Sequence, residues 1–176
     1  MRSGIVLAGG ASSRMGSFKP LLPFRGRPLL AHALDALAPH CQELIVMAGA
    51  RAAEVSRVGA GARVLADPAQ GPHVALRLAA RVARHPTLLV VPADAPFISD
   101  ALPPLLAAGA DAVARDGDGV NPLVALYDRE RLLAALGDDA RSLQQVAARL
   151  GARAVDAPAR SLADADEPQD LRRLEG

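Results

Sequence analysis

Short apolar runs alternate with amphipathic helical patterns along most of this 176-residue chain. The strand-length runs lie at 4–8, 43–48, 63–66 and 87–91, and the helical patterns lie at 28–37 and 73–84. The run at 87–91 is rich in leucine and β-branched residues, which is typical of a central parallel strand covered on both faces. This alternation predicts an α/β fold, a three-layer α/β/α sandwich with a mainly parallel sheet.

The second half of the chain continues the pattern with shorter elements. Ser99 is expected to cap a helix that runs to Ala108, and a turn at 116–119 separates two expected strands. These strands lie at 111–115 and 123–127, further helices are expected at 129–136, 142–150 and 168–174, and a last strand at 153–155. The length, and the absence of a low-complexity linker, predict one domain over residues 1–176.

The charges favour small molecules as partners. The 20 basic and 19 acidic residues give a net charge of +1 and are mixed along the chain, so we expect no nucleic acid and no membrane among the partners. The first apolar run is too short for a signal peptide or a membrane span, which predicts a cytoplasmic protein. A single cysteine, Cys41, excludes an internal disulfide framework.

The first expected strand leads directly into a glycine-rich segment, LAGGASSRMGSFK, at 7–19. Gly9 and Gly10 allow phosphate groups to approach the backbone closely, and Arg14 and Lys19 supply positive charge. Lys19 is the only lysine in the chain, which indicates a position that needs a compact ammonium rather than a guanidinium. The spacing fits neither the dinucleotide fingerprint nor the P-loop. We predict a phosphate-binding loop, with a simple tight turn as the alternative.

Three aspartates are candidates for contact with a ligand or a metal. Asp94 follows the run at 87–91, and the carboxyl ends of parallel strands are where such sheets bind ligands. One or two carboxylates suffice for Mg²⁺ beside phosphates, so Asp94 is the first candidate ligand and Asp166 the second. For both, capping of a helix is the alternative. Asp67 ends an expected strand and is predicted to contact a phosphate-bearing ligand such as a nucleotide, or a second substrate, or else to open a turn before Pro68.

For three other polar residues the sequence points to no single role. His73 stands at an expected helix start, where it meets an anionic acceptor or is simply a surface histidine. Asp164 is a further acidic residue near Asp166 and equally fits a solvated acidic face. Asn121 precedes a strand after an acidic turn.

Three segments of the chain resemble one family. The segments LAGGASSRMGSFKPLL at 7–22, VPADAPF at 91–97 and DEPQDL at 166–171 are similar to signatures of the nucleotidyltransferases that activate molybdopterin cofactors, most closely the molybdenum cofactor guanylyltransferases. The resemblance implies a Rossmann-like fold of the nucleotide-diphospho-sugar transferase type that binds GTP. It places Leu7, Ala8, Gly9 and Gly10 against the nucleotide, Arg14 and Lys19 on the triphosphate, Mg²⁺ on Asp94, and Asn121 near the acceptor.

The implied reaction transfers GMP from GTP to the phosphate of molybdopterin cofactor and releases pyrophosphate. The chain departs from the family where GPHVA at 71–75 replaces the frequent GPLAG, and KPLLP at 19–23 also resembles the related cytidylyltransferases. Transfer from CTP, or to a sugar phosphate, phospholactate or cobinamide phosphate, therefore remains an alternative. A non-enzymatic alternative is a nucleotide-binding module that delivers the cofactor. In either case, transient contact with cofactor-handling proteins is expected.

Overall fold

The computed structural model describes residues 1–9, 18–59, 61–117 and 119–163. The strands in these ranges are β1 (Arg2–Leu7), β2 (Pro23–Phe24), β3 (Arg27–Pro28), β4 (Glu43–Met47), β5 (Arg63–Leu65), β6 (Thr87–Pro92), β7 (Ala112–Asp116), β8 (Gly119–Asp128) and β9 (Arg153–Asp156). The α-helices are α1 (Leu29–Leu37), α2 (Ala52–Val55), α3 (Pro72–Val82), α4 (Leu102–Ala108), α5 (Arg129–Leu136) and α6 (Leu143–Leu150). None of the helices in the described ranges is long and apolar enough to span a bilayer.

Seven strands form one sheet in the order β5-β4-β1-β6-β8-β7-β9, and β2 pairs with β3 in a separate hairpin. β8 pairs antiparallel with both of its neighbours, and the other pairs in the main sheet are parallel. The prediction of a mainly parallel sheet is therefore confirmed.

Helices cover both faces of the sheet, because successive strand residues point to opposite sides. On β1, Val6 packs into the layer that holds α1, α2 and α4, while Ile5 and Leu7 pack into the layer that holds α3, α5 and α6. Both layers consist mainly of buried aliphatic side chains, so the predicted three-layer sandwich is confirmed.

The ends of the helices follow from local residue chemistry. α3 begins at Pro72, which is suited to the first turn of a helix, after Gly71 at a φ of 106° that favours glycine. The side chain of Asp128 accepts a hydrogen bond from the N–H of Arg131 at the start of α5, and Ser142 caps α6 in the same way.

The sequence predictions differ from the structure at three places in the described ranges: the start of α4, the β2–β3 hairpin and the short helix α2, which was not predicted. Ser99 does not cap a helix, because it lies inside a 3₁₀ turn over Ile98–Ala101, and α4 begins after that turn at Leu102. Prolines at 103 and 104 lack the N–H groups that the first turn of a helix leaves unpaired, so this is where the helix can start. The hairpin of β2 and β3 was not predicted. The helix expected at 168–174 lies outside the described residues.

Candidate functional site

The carboxyl ends of four neighbouring strands, β5, β4, β1 and β6, line up along one edge of the sheet. Backbone hydrogen bonds continue the ladder by one residue beyond the strands, so the loops leave this edge together. The bonds run from the N–H of Ala8 to the carbonyl of Met47 (2.8 Å), from Ala48 to Leu65 (2.9 Å) and from Ala93 to Leu7 (3.1 Å). The edge therefore fixes the positions from which Gly9, Gly49, Asp67 and Asp94 emerge.

Asp67 connects three of these loops. Its Oδ2 accepts a hydrogen bond of 2.8 Å from the N–H of Gly49, and its Oδ1 accepts one of 2.9 Å from the N–H of Ala69. A Cβ on Gly9 would lie 3.0 Å from both the Asp67 Oδ2 and the Gly49 nitrogen. A side chain at position 9 would therefore be crowded, and its neighbours would have to shift by a few tenths of an ångström to accept it.

Gly49 was not recognised from the sequence. It adopts a φ of 55°, which favours glycine, and lies directly after β4. A turn with glycine after an apolar run was a visible signal, but the glycine's partner Asp67 is 18 residues further along the chain.

Lys19 opens a 3₁₀ turn that leads from the glycine-rich segment to β2. The preceding residue, Phe18, is buried in the core on the α1 face, and the Arg51 guanidinium lies 5.4 Å from the centre of its ring. The side chain of Lys19 is partly exposed. Because Arg51 follows β4, the start of the Lys19 turn is attached to the same edge of the sheet.

Asp94 is partly exposed and lies between two buried alanines, Ala93 and Ala95, just beyond β6. β6 neighbours β1, so Asp94 emerges beside the loop that begins at Ala8 and Gly9. Of the described residues that the sequence predicted for nucleotide contact, Leu7, Ala8, Gly9, Asp67 and Asp94 thus lie at one edge of the sheet, and Lys19 is linked to that edge through Phe18 and Arg51.

A recess of about 360 Å³ lies further along the same edge, beyond the strand ends described above. Its lining comes from the start of α3, the β7–β8 hairpin and the start of α6: Pro72, Asp116, Gly119, Val120, Asn121, Pro122, Leu123, Leu143 and Gln144. Asn121 is thus part of this recess. His73 follows Pro72 but does not line the recess; its ring lies against Gly71 instead.

Hydrogen bonds fix the wall that Asn121 and Pro122 form. The Oδ1 of Asn121 accepts a hydrogen bond of 3.1 Å from the N–H of Leu123, and the buried Tyr127 hydroxyl donates one of 2.8 Å to the carbonyl of Pro122. Burial, and then the negative charge of Asp111, raise the pKa of the Tyr127 phenol well above its usual range. The hydroxyl therefore keeps the proton that it donates.

Residues 4–157 match the model of the MobA-like NTP transferase domain. The chain belongs to the MobA-like NTP transferase family. It is 35% identical to a molybdenum cofactor guanylyltransferase of Cereibacter sphaeroides, over 98% of this chain and 94% of that one.

Solved structures of NTP transferases share the fold. A nucleotidyl transferase from Methanothermobacter thermautotroptrophicus superposes with a TM-score of 0.83 at 22% identity, over 99% of this chain and 96% of that one. Molybdopterin-guanine dinucleotide biosynthesis protein A from Archaeoglobus fulgidus superposes with a TM-score of 0.74 at 23% identity, over 99% and 97%. The Rossmann-like nucleotidyltransferase fold that the sequence predicted is confirmed.

Three residues predicted for this NTP transferase site, Gly10, Arg14 and Asp166, lie outside the described residues, and so does Asp164, to which the sequence assigned no single role. Their proposed contacts with the nucleotide, the triphosphate and the metal remain predictions.

The described residues fit a magnesium ion bound together with a nucleotide. Within the ranges that the structure covers, no three side chains of His, Cys, Asp or Glu cluster as a ready-made metal cage. Mg²⁺ does not need one, because it keeps water ligands and is commonly held by one or two carboxylates plus substrate phosphates. The partly exposed carboxylate of Asp94 at the strand edge has the chemistry of such a ligand.

Proposed function

We propose that this NTP transferase moves GMP from GTP to the phosphate of molybdopterin cofactor and releases pyrophosphate. One observation carries the proposal: Gly9, Gly49 and Asp94 emerge from adjacent strand ends of a single edge, with Lys19 joined to that edge through Phe18 and Arg51. Backbone N–H groups, an ammonium and a carboxylate are the groups needed to hold a triphosphate and its metal. The name of the Cereibacter sphaeroides relative supports this choice of substrates.

The chemistry needs no nucleophile from the protein. A phosphate oxygen of the acceptor attacks the α-phosphorus of GTP, a new P–O bond forms, and the bond between the α-phosphorus and the bridging oxygen breaks. The electron pair of that bond leaves with pyrophosphate. The acceptor phosphate is already ionised near neutral pH, so the protein contributes alignment and neutralisation of charge. Lys19 supplies positive charge to the triphosphate, and Arg14 is proposed to do the same.

Mg²⁺ is proposed as the cofactor of this reaction. Asp94 would hold it, and Asp166 is the proposed second ligand. When bound, the ion would offset negative charge on the phosphates. Asp67 acts differently, because its two oxygens already accept hydrogen bonds from the N–H groups of Gly49 and Ala69. We propose that it shapes the loop that contacts the nucleotide.

The recess beside Asn121 is the proposed site of the acceptor. It opens at the same edge, because the antiparallel pairing of β8 with β6 places the start of β8 level with the end of β6. Its lining combines apolar side chains with the polar groups of Asp116, Asn121 and Gln144, which suits a planar ring system rich in hydrogen-bonding atoms.

Purified protein with Mg²⁺ and molybdopterin cofactor should release pyrophosphate from one of GTP, CTP, ATP and UTP, and Lys19→Ala should not. Release from GTP supports the proposal, and release only from CTP would replace it with cytidylyl transfer. Silence with all four nucleotides would refute the choice of acceptor and direct attention to other small phosphates.

A module that delivers a cofactor without catalysis is distinguished by Asp94→Asn. An enzyme should lose turnover far more than affinity for the nucleotide, because the carboxylate serves the metal-bound transition state. Calorimetric titration with GTP and the pyrophosphate assay, on the same preparation, give the two numbers. Loss of neither would favour the delivery module.

A further inference from the structure

The phenylalanines of this chain are concentrated around the proposed site. The sequence contains three phenylalanines, one tyrosine and no tryptophan. Phe18 and Phe24 lie on either side of Lys19 in the sequence, and Phe97 follows Asp94 by three residues. A chain with so few aromatic residues thus keeps each phenylalanine within five residues of Lys19 or Asp94.

Phe24 and Phe97 contact each other. Their ring centres are 5.5 Å apart and the ring planes are nearly perpendicular at 89°, which is the favoured edge-to-face arrangement. Phe24 is 1% exposed and packs with Leu29, Leu22 and Phe97 in a small apolar cluster of its own. The segment after Lys19 and the segment after Asp94 are therefore joined directly, away from the two main cores.

Two arginines stack on these rings. The Arg160 guanidinium carbon lies 3.8 Å from the centre of the Phe97 ring, and that of Arg25 lies 5.4 Å from the same centre and 5.3 Å from the centre of the Phe24 ring. Cation–π contacts of this kind are favourable when the ring face is available. Arg160 belongs to a 3₁₀ turn over Ala159–Leu162, so a third segment of the chain closes on the same pair of rings.

We propose that Phe24, Phe97 and Arg160 are positioning residues that fix Asp94 relative to Lys19. This inference rests on the proposed function and adds to it the device that sets the spacing of the two charged groups. None of the three is proposed as a catalytic residue, because Phe24 and Phe97 act through the segments that carry Lys19 and Asp94, and Arg160 acts through the Phe97 ring. Rigid spacing matters because phosphoryl transfer depends chiefly on alignment.

The test compares Phe97→Leu, Arg160→Ala and Arg160→Lys with the wild type. Leucine keeps apolar contact with Phe24 but removes the ring face, and lysine restores a cation at position 160. The matched control is Arg149→Ala, which removes a partly exposed arginine paired with Asp139 on the surface.

The first readout uses the fact that Lys19 is the only lysine. Reductive methylation with ¹³C-formaldehyde gives one lysine signal, beside that of the terminal amine, and keeps the positive charge. We expect Phe97→Leu and Arg160→Ala to shift or broaden the Lys19 signal and Arg149→Ala to leave it unchanged. Arg160→Lys adds a second lysine signal, so this variant is compared by its kinetics alone. An unchanged signal in both of the first two variants overturns the proposal.

The second readout separates positioning from simple loss of stability. In folded variants, we expect kcat to fall about tenfold or more while KM for GTP changes less than about threefold, as for an interaction that acts in the transition state. Equal loss in the Arg149→Ala control, or a rise in KM alone, overturns the proposal. If the wild type turns over no substrate, the proposed function fails. The Lys19 signal still decides whether Phe24, Phe97 and Arg160 position Lys19.

Discussion

The carboxylate of Asp67 accepts a hydrogen bond of 2.8 Å from the N–H of Gly49, across the 18 residues that separate them in sequence. The same carboxylate would lie 3.0 Å from a Cβ at position 9, closer than an ordinary contact. One acidic residue thus holds the Gly49 loop in place and crowds any side chain at position 9, and both loops belong to the proposed nucleotide site.

Replacement of Asp67 by alanine should weaken both stability and binding of the nucleotide. Loss of two hydrogen bonds to a charged group is expected to reduce the free energy of unfolding by about 1–3 kcal/mol. Urea unfolding measures this change, and calorimetric titration with GTP measures the affinity. Asp138→Ala, at a fully exposed aspartate, is the control. Unchanged affinity in Asp67→Ala would exclude a role for this carboxylate in shaping the site.

Gly9→Ala should reduce affinity for the nucleotide through crowding alone. The new methyl group would lie 3.0 Å from the Asp67 Oδ2 and the Gly49 nitrogen, closer than ordinary contacts, so the two loops must move apart. We expect GTP binding to weaken at least tenfold. Gly117→Ala places a methyl group where nothing lies within 4 Å and should bind GTP like the wild type. Equal affinity of the two variants would contradict the tight approach at Gly9.

Lys19→Arg should not restore the function that Lys19→Ala removes. A guanidinium keeps the charge but is planar and wider than an ammonium, so it cannot occupy the same space between phosphate oxygens. We expect kcat/KM for pyrophosphate release to fall by at least tenfold in both variants. An arginine variant with wild-type kcat/KM would show that only the charge matters.

Tyr127→Phe should affect the acceptor and spare the nucleotide. The change removes the 2.8 Å hydrogen bond to the carbonyl of Pro122, which leaves a buried acceptor unpaired and costs about 1–3 kcal/mol of stability. Because Pro122 lines the proposed acceptor recess, the KM for the acceptor, molybdopterin cofactor, should rise, while the KM for GTP should stay within a factor of about two. Parallel change in the two KM values would argue against a separate acceptor recess.

The Cys41 thiol should react slowly in the folded protein. Burial, partly offset by the charge of Arg2, raises the pKa of Cys41 to about 11. Since the thiolate is the reactive form, alkylation by iodoacetamide at pH 8 should be roughly a hundredfold slower than in urea-unfolded protein. The folded state binds the Cys41 proton more tightly than the unfolded state does. The contribution of this group to the free energy of unfolding is therefore constant below about pH 9 and decreases as the pH rises towards 11. Equal rates in folded and unfolded protein would show that the half-buried thiol is not shielded in the folded state.

The sequence was sufficient to predict the layers and most of the strands, because hydrophobic periodicity is a local property of the chain. The β2–β3 hairpin was not predicted, because it shows no such periodicity. Its strands have two residues each, too few for a period, and its turn places Arg25 at a φ of 48°, a conformation that the residue type does not suggest.

The candidate site was predicted in part. Asp94 and Lys19 could be found because each stands in a distinctive local segment. The contacts of Phe97 with Phe24 and Arg160 could not be predicted. Phe24 comes 73 residues before Phe97 and Arg160 comes 63 residues after it, and no local sequence pattern indicates contacts between such distant residues. The scarcity of aromatic residues was the available signal.

β8 runs against the other strands of the main sheet, and this reversal divides the edge into two kinds of connection. On the nucleotide side, the loops lead from strands towards helices, so a change in their length would disturb the packing of a whole layer. On the acceptor side, the wall of the recess includes a hairpin turn between β7 and β8, which can lengthen or change composition while both strands keep their pairing. The fold thus places the proposed nucleotide loops beside a hairpin that forms part of the proposed acceptor recess, so we expect a β7–β8 hairpin grafted from another family member to change the acceptor specificity and to leave nucleotide binding intact.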